Sequence, residues 1–220
     1  IRNRDLVLPE FQREYVWTKE QAKQLLVSLI KKYPVGGILL WKTQTPPELK
    51  NVGESDSRLG SYQIILDGQQ RLTTLYMLLT GDIPPYYREE DILYDPRDLY
   101  FNLIDGDFQY YQPVKMKDDP TWVSVIGCIQ DTGQIAFDVA QKVHPEQEDL
   151  FIAAQRYTVN LQNLKGILNI DLPEQVIPPE ATLDQAIDVF DRVNSLGTRL
   201  TEAELALTHV TGKWPQARRV

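Results

Sequence analysis

The sequence predicts an α+β fold, with strands concentrated in residues 1–115 and a mostly helical portion over 116–220. Three observations carry that expectation. Short apolar runs bounded by glycine or turn signals, such as Ile38-Leu39-Leu40-Trp41 after Gly36-Gly37, read as strands. Longer stretches place apolar residues three and four apart, and several open on a Thr-x-x-Gln or Thr-x-x-Glu capping box, so they read as helices. A chain of 220 residues that is 42% hydrophobic can bury a real core, as one large domain or a domain with a helical annex.

Residues 1–17 are irregular and carry Arg2, Arg4 and Arg13. Thr18-Lys19-Glu20-Gln21 opens a helix whose apolar positions are Ala22, Leu25, Leu26, Leu29, Ile30 and Tyr33, and Pro34 ends it. The strand 38–41 follows, then a polar loop over 45–60. Tyr62 to Leu66 is a second strand, and a helix follows with Leu72, Leu75, Tyr76, Leu78 and Leu79 on one side, ending near Gly81. A proline- and acid-rich loop leads to a hairpin, with runs 99–103 and 108–111 flanking Asp105-Gly106. Trp122 to Ile129 reads as the start of a helix. Residues 146–168 form a long helix with Leu150, Phe151, Ala154, Tyr157, Leu161, Leu164 and Leu168 as its apolar set. Residues 170–177 read as a short edge strand because of Pro173. Thr182 and Gln185 open another helix, with Ala186, Ile187, Val189, Phe190 and Val193 on one face, and Thr201 caps a last one.

Composition narrows the function classes. A net charge of −8 opposes a broad nonspecific nucleic-acid surface, though a local basic pocket is compatible with it. No apolar run is long enough to span a membrane, and no signal peptide is visible at Ile1. Cys128 is the single cysteine, so a disulfide framework and a thiolate metal cluster are excluded and a cytoplasmic setting is expected. It sits in an apolar run and reads as a small buried hydrophobe. His144 and His209 form no metal motif and read as surface or capping residues. The acidic turn Arg88-Glu89-Glu90-Asp91 reads as solvated.

Three segments carry chemistry. In Tyr62 to Leu75 a strand ends at Asp67-Gly68, and Gln69, Gln70 and Arg71 follow at the start of a helix. Free backbone N–H groups at such a helix start attract anions, and an arginine beside them can grip phosphate bidentately. The same residues also fit a capping box from Asp67 to Gln70, with Arg71 paired to an acid. No Walker lysine and no Gly-x-Gly-x-x-Gly accompany the turn. In Phe11 to Trp17, aromatic residues surround Arg13, which suits base stacking with phosphate contact, or equally an arm anchored on the core. In Phe190 to Thr201, Arg192 and Asn194 stand near a helix end at Gly197; they either face the 67–71 turn or lie in solvent.

The blocks Phe11-Gln12-Arg13-Glu14-Tyr15-Val16-Trp17, Leu66-Asp67-Gly68-Gln69-Gln70-Arg71-Leu72-Thr73-Thr74-Leu75 and Phe190 to Thr201, in that order, resemble the hallmark blocks of the GmrSD-type restriction enzyme N-terminal domain. The resemblance spans nearly the whole chain. It implies a ParB/sulfiredoxin-like core with a small mixed sheet, nucleoside-triphosphate binding and hydrolysis that depend on the Asp-Gly-Gln-Gln-Arg block, and a role in phage defence, often against modified DNA. It also implies that DNA cleavage belongs to a C-terminal HNH-type nuclease domain, no trace of which follows Arg199, so the chain is expected to be an N-terminal portion.

On that resemblance the catalytic set is Asp67, Gln69, Gln70 and Arg71, with Asp67 holding Mg²⁺ and the glutamines orienting phosphate oxygens or water. The nucleotide contacts are Gly68, Gln12, Arg13, Tyr15, Arg192 and Asn194. The competing expectation is a non-enzymatic DNA-sensing module, in which Arg2, Arg4, Arg13, Arg192 and Arg199 meet the DNA backbone and the glutamines read a base edge.

Overall fold

Strands β2 (Ile38–Thr43) and β3 (Tyr62–Asp67) are nearly continuous apolar runs because both of their faces are buried. They pair antiparallel at the centre of a four-stranded sheet of order β1-β3-β2-β7, in which β1 (Leu6–Val7) runs parallel to β3 and β7 (Glu174–Ile177) parallel to β2. The computed structural model describes residues 1, 6–50, 61–144, 146–195 and 210. Arg2, Arg4, Gly197, Arg199, the helix expected from Thr201 and His209 lie outside these described residues.

Alternation along β2 and β3 sorts side chains onto two faces. Leu39, Trp41, Ile64 and Leu66 join Phe11 under helix α7 (Leu183–Ser195), which contributes Ala186 and Phe190. Ile38, Leu40 and Ile65 face Leu8, Tyr15, Tyr86, Tyr87 and Met77 of helix α2 (Gln69–Thr80). The sheet is therefore a filling between two helices.

A second core lies beyond α2. There an antiparallel sheet of order β5-β4-β6 packs with the remaining long helices. Its strands are β4 (Leu99–Asn102), β5 (Phe108–Tyr110) and β6 (Trp122–Ser124). The helices are α1 (Lys19–Ile30), the short α3 (Pro113–Met116), α4 (Val125–Gln130), α5 (Ile135–Val143) and α6 (Gln147–Lys165). Helix α2 serves both cores, with Met77 in the first and Leu78 in the second, each fully buried. The stretch after residue 115 is mostly helical, yet it returns β6 to the second sheet and β7 to the first.

The α+β class, the hairpin 99–110, the edge strand β7 and the Thr18 and Thr182 capping boxes are as expected. Three details differ. Residues 122–124 are strand, and the helix starts only at Val125, because Ser124 accepts from the Gly127 N–H and caps it. Helix α5 is an addition to the expected elements, with Ala136, Val139 and Ala140 buried at helical spacing. On α2 the buried positions are Gln69, Gln70, Thr73, Thr74, Met77 and Leu78, so the polar residues face inward and the leucine stripe covers only part of the surface. Cys128 is fully buried, and burial pushes its thiol up to about 12, as suits a core residue. His144 closes α5, and residues 88–91 form an ion-paired turn in which Arg88 meets Glu90 and Asp91. No helix among the described residues is long and apolar enough to cross a membrane.

Because Leu78 ties α2 to the second core, Leu78→Ala is expected to cost about 2–5 kcal/mol of stability. Urea unfolding followed by tryptophan fluorescence measures it, and a loss below about 1 kcal/mol would show that the two cores do not depend on this contact.

Candidate phosphate site at the start of helix α2

Helix α2 begins without a side-chain cap. Its N-cap is Gly68, in the left-handed region at φ 89°, with no side-chain cap hydrogen bond, and no side chain among the described residues bonds the first-turn N–H groups. The capping box from Asp67 to Gln70 is therefore not formed: the side chain of Gln70 points away to the N-terminal arm. Glycine is required at 68 on two counts. A Cβ there would lie 2.5 Å from Cδ1 of Ile38, and an L-residue is strained at that φ.

Arg71 closes one wall. Its guanidinium donates through Nη2 to the Gly37 carbonyl and to Oδ2 of Asp67, the latter at 3.1 Å, while its Nε is buried with no partner. The loop Gly36-Gly37 makes room for it: Gly36 sits at φ 81° with the Arg71 guanidinium 3.5 Å from where a Cβ would be, and Gly37 lies against the Pro173 carbonyl. The side chain of Asp67 stands about one-third exposed, and Oδ1 meets no donor among the described residues.

The two glutamines are spent differently. Gln70 accepts on Oε1 from the N–H groups of Val16 (2.9 Å) and Trp17 (3.1 Å), and donates from Nε2 to the Glu14 carbonyl at 2.9 Å. Gln69 donates to the Arg13 carbonyl at 2.6 Å and to the Tyr87 hydroxyl, leaving a buried Oε1 with no partner. Gln12 donates to the Leu66 carbonyl two residues past the end of the β1–β3 pairing, at 2.6 Å. Lys50 pairs with Glu14 and lies over the Tyr87 ring. All three glutamines thus fasten the arm 12–17 to the site.

Tyr15 is buried, with its hydroxyl 2.9 Å from Thr74 Oγ1, so its ring offers no face to a base and acts as an anchor. Phe11 is likewise a core residue. Arg13 is exposed beside the turn. Arg192 is not brought to the turn by any bond: it is exposed on α7 and pairs with Asp188 one turn back at 3.0 Å. The Asn194 side chain lies outside the described residues. Gly36-Gly37, Lys50 and Tyr87 are the neighbours the sequence reading missed; the glycine doublet before a strand was the visible signal.

The structure thus defines an α+β protein whose central sheet ends in an uncapped helix start, walled by arginine and roofed by an N-terminal arm. The chain belongs to the family of the GmrSD restriction endonuclease N-terminal domain, whose model matches residues 1–211. It is also similar to an uncharacterized protein of Methanocaldococcus jannaschii, at 31% identity over an alignment of 81 residues that covers 33% of this chain. The matched part spans 14% of that protein's length.

Two expectations follow from the geometry. Gly68→Ala destabilises by more than about 1 kcal/mol, from left-handed strain and the Ile38 contact, and an unchanged urea midpoint would mean the turn relaxes freely. Burial raises the Tyr15 and Tyr86 phenols from 10.0 to about 12. Folding therefore retains their protons where the unfolded chain loses them. That stability is complete below pH 10.0 and is lost as the pH climbs to about 12. Tyr15→Phe should flatten the fall in this window; an equally steep fall assigns the alkaline transition to other groups.

Proposed function

We propose that this chain is the nucleotide-binding module of a restriction system in phage defence, and that it holds the phosphates of a nucleoside triphosphate at the start of α2 and supports their hydrolysis. The observation that carries this reading is the uncapped N-terminus of α2 with Arg71 beside it, its Nε buried and unpartnered. The first-turn N–H groups of Gln69, Gln70 and Arg71, the positive end of the helix dipole and a guanidinium converge there on the charge pattern of a phosphate. Family membership and the resemblance of the Asp-Gly-Gln-Gln-Arg block support the same reading.

Roles then follow from what each side chain has free. Arg71 stabilises charge on the transferring phosphoryl group. Gly68 lets phosphate approach the backbone. Among the described residues no cluster of three or more histidine, cysteine or acidic side chains is placed to hold a metal. A lone carboxylate fits Mg²⁺ in one mode, where phosphate oxygens and waters supply the remaining ligands, and Asp67 Oδ1 is the available donor. Magnesium would supply charge neutralisation on the phosphates. Gln70 has both amide atoms on the arm, so orienting an attacking water is not open to it while the arm is bound.

The DNA-sensing alternative needs a cationic face. The net charge of −8 and the pairing of Arg192 with Asp188 favour the nucleotide reading over it.

A melting screen with the four ribonucleoside and four deoxyribonucleoside triphosphates, with and without Mg²⁺, tests the proposal. Binding to the folded state must raise Tm. Arg71→Ala should weaken binding by about 1.5–3 kcal/mol, the worth of a hydrogen bond to a charged group. Unaltered affinity in Arg71→Ala would remove Arg71 from the site. Absence of any shift, with steeply salt-dependent DNA binding instead, would favour the sensing module.

A further inference from the structure

From Gln12 to Trp17, each residue but one commits a side chain or an N–H group to the rest of the protein. Gln12 donates to Leu66, Glu14 pairs with Lys50, Tyr15 bonds Thr74, and the N–H groups of Val16 and Trp17 are held by Gln70. Arg13 is the exception. It gives only its carbonyl, to Gln69 and Tyr87, while its side chain is exposed and meets no partner among the described residues. An arginine with a pinned backbone and a free guanidinium has part of its ordering entropy removed in advance, which is how a ligand-gripping cation is preorganised. Its place is fixed too, since its carbonyl lies 2.6 Å from Nε2 of Gln69, the first residue of α2.

Gln70 is the central fastening. A glutamine amide carries a donor and an acceptor side by side, and here it meets the arm backbone as a paired strand would, with Oε1 taking two N–H groups and Nε2 giving to a carbonyl. The group is buried, so no water replaces these bonds if they are removed.

We propose that Gln70 is a positioning residue of the phosphate site and acts through Arg13: it holds the arm so that Arg13 stands as a second cation beside the start of α2. The inference rests on the phosphate reading above. It has a thermodynamic consequence. If bound phosphate uses Arg13, and Arg13 is placed by the Gln70 clamp, then ligand must in turn strengthen the clamp, because coupling between two equilibria is reciprocal.

The test uses the 220-residue chain with Mg·ATP and with inorganic triphosphate, which lacks a base. Affinity is measured for the parent, Arg71→Ala, Arg13→Ala, Gln70→Met and the Arg13→Ala/Gln70→Met pair. Arg13→Ala and Gln70→Met are each expected to weaken binding roughly tenfold, and the pair to be no more than about twofold weaker than either alone, since both remove one interaction. Amide exchange at Val16 and Trp17 in the parent should slow when ATP is added. The inference is overturned if Gln70→Met binds like the parent, or if it costs the same factor with Arg13 already removed. It is equally overturned if ATP leaves exchange at Val16 and Trp17 unchanged, a measurement that decides the matter should Gln70→Met fail to fold. Loss of binding in Arg71→Ala alone, with Arg13→Ala and Gln70→Met intact, would sink this inference and leave the phosphate site standing. A parent that binds neither probe would sink both.

Discussion

The buried polar face of helix α2 is the constraint on which the site depends. Gln69, Gln70, Thr73 and Thr74 are all buried on a helix that must also fill two hydrophobic cores. Polar groups are tolerated at such depth only when their hydrogen bonds are made. Most are made by a segment with no regular structure of its own: the arm backbone satisfies Gln70 and half of Gln69, and the arm's Tyr15 hydroxyl meets Thr74, while Tyr86 from the loop after α2 meets Thr73. Removing the arm would leave Gln69, Gln70 and Thr74 stranded, and removing the two glutamines would leave the arm's own N–H and C=O groups stranded. Each side makes the other possible.

That mutual dependence fixes where charge can lie. The protein is acidic as a whole, yet the start of α2 brings together Arg71 and the positive end of the helix dipole, and the backbone of Arg13 is bonded to Gln69, the helix's first residue. Concentrating positive potential at one place in an acidic protein favours a small anion over an extended polyanion, because phosphate needs only a local match while a duplex needs a broad one. Two glycines at positive φ beside the site, Gly36 and Gly68, let the β2 loop and the α2 turn approach closely enough for Arg71 to touch both Asp67 and the Gly37 carbonyl. Arg71 Nε and Gln69 Oε1 are two of the buried side-chain atoms whose bonds are unmade, and both lie at the proposed site, whereas a third, Trp41 Nε1, lies on the α7 face of the sheet.

The division of labour within Asp-Gly-Gln-Gln-Arg follows from direction along the chain. Asp67 is the last residue of β3, and its side chain lies on the α2 side of the sheet by strand alternation. Gly68 reverses the chain. Gln69 and Gln70 begin the helix facing the core and the arm, and Arg71 turns back toward Asp67, four positions earlier. A five-residue string thus serves two structural tasks and one electrostatic one.

The sequence by itself determined the class of fold, the two central strands, the hairpin at Asp105-Gly106, the helix starts at Thr18 and Thr182, and the turn at Asp67-Gly68. Each is encoded locally, by hydrophobic period or by turn and capping chemistry within a few residues. It also picked out the arm and the Asp-Gly-Gln-Gln-Arg block as belonging to one kind of protein. Only tertiary structure decided what those blocks do to each other. Gln70 and Val16 are 54 positions apart, Gln69 and Arg13 56, and no local rule announces such pairs. For the same reason the leucines of α2 looked like its whole core face, whereas Gln69, Gln70, Thr73 and Thr74 are buried beside Met77 and Leu78 and find partners far along the chain. Arg192, for which the sequence left both the 67–71 turn and solvent open, is exposed and pairs with Asp188 on its own helix. A side chain's role was legible where its partner lay within a turn or two, and became visible only in the fold where the partner lay across it.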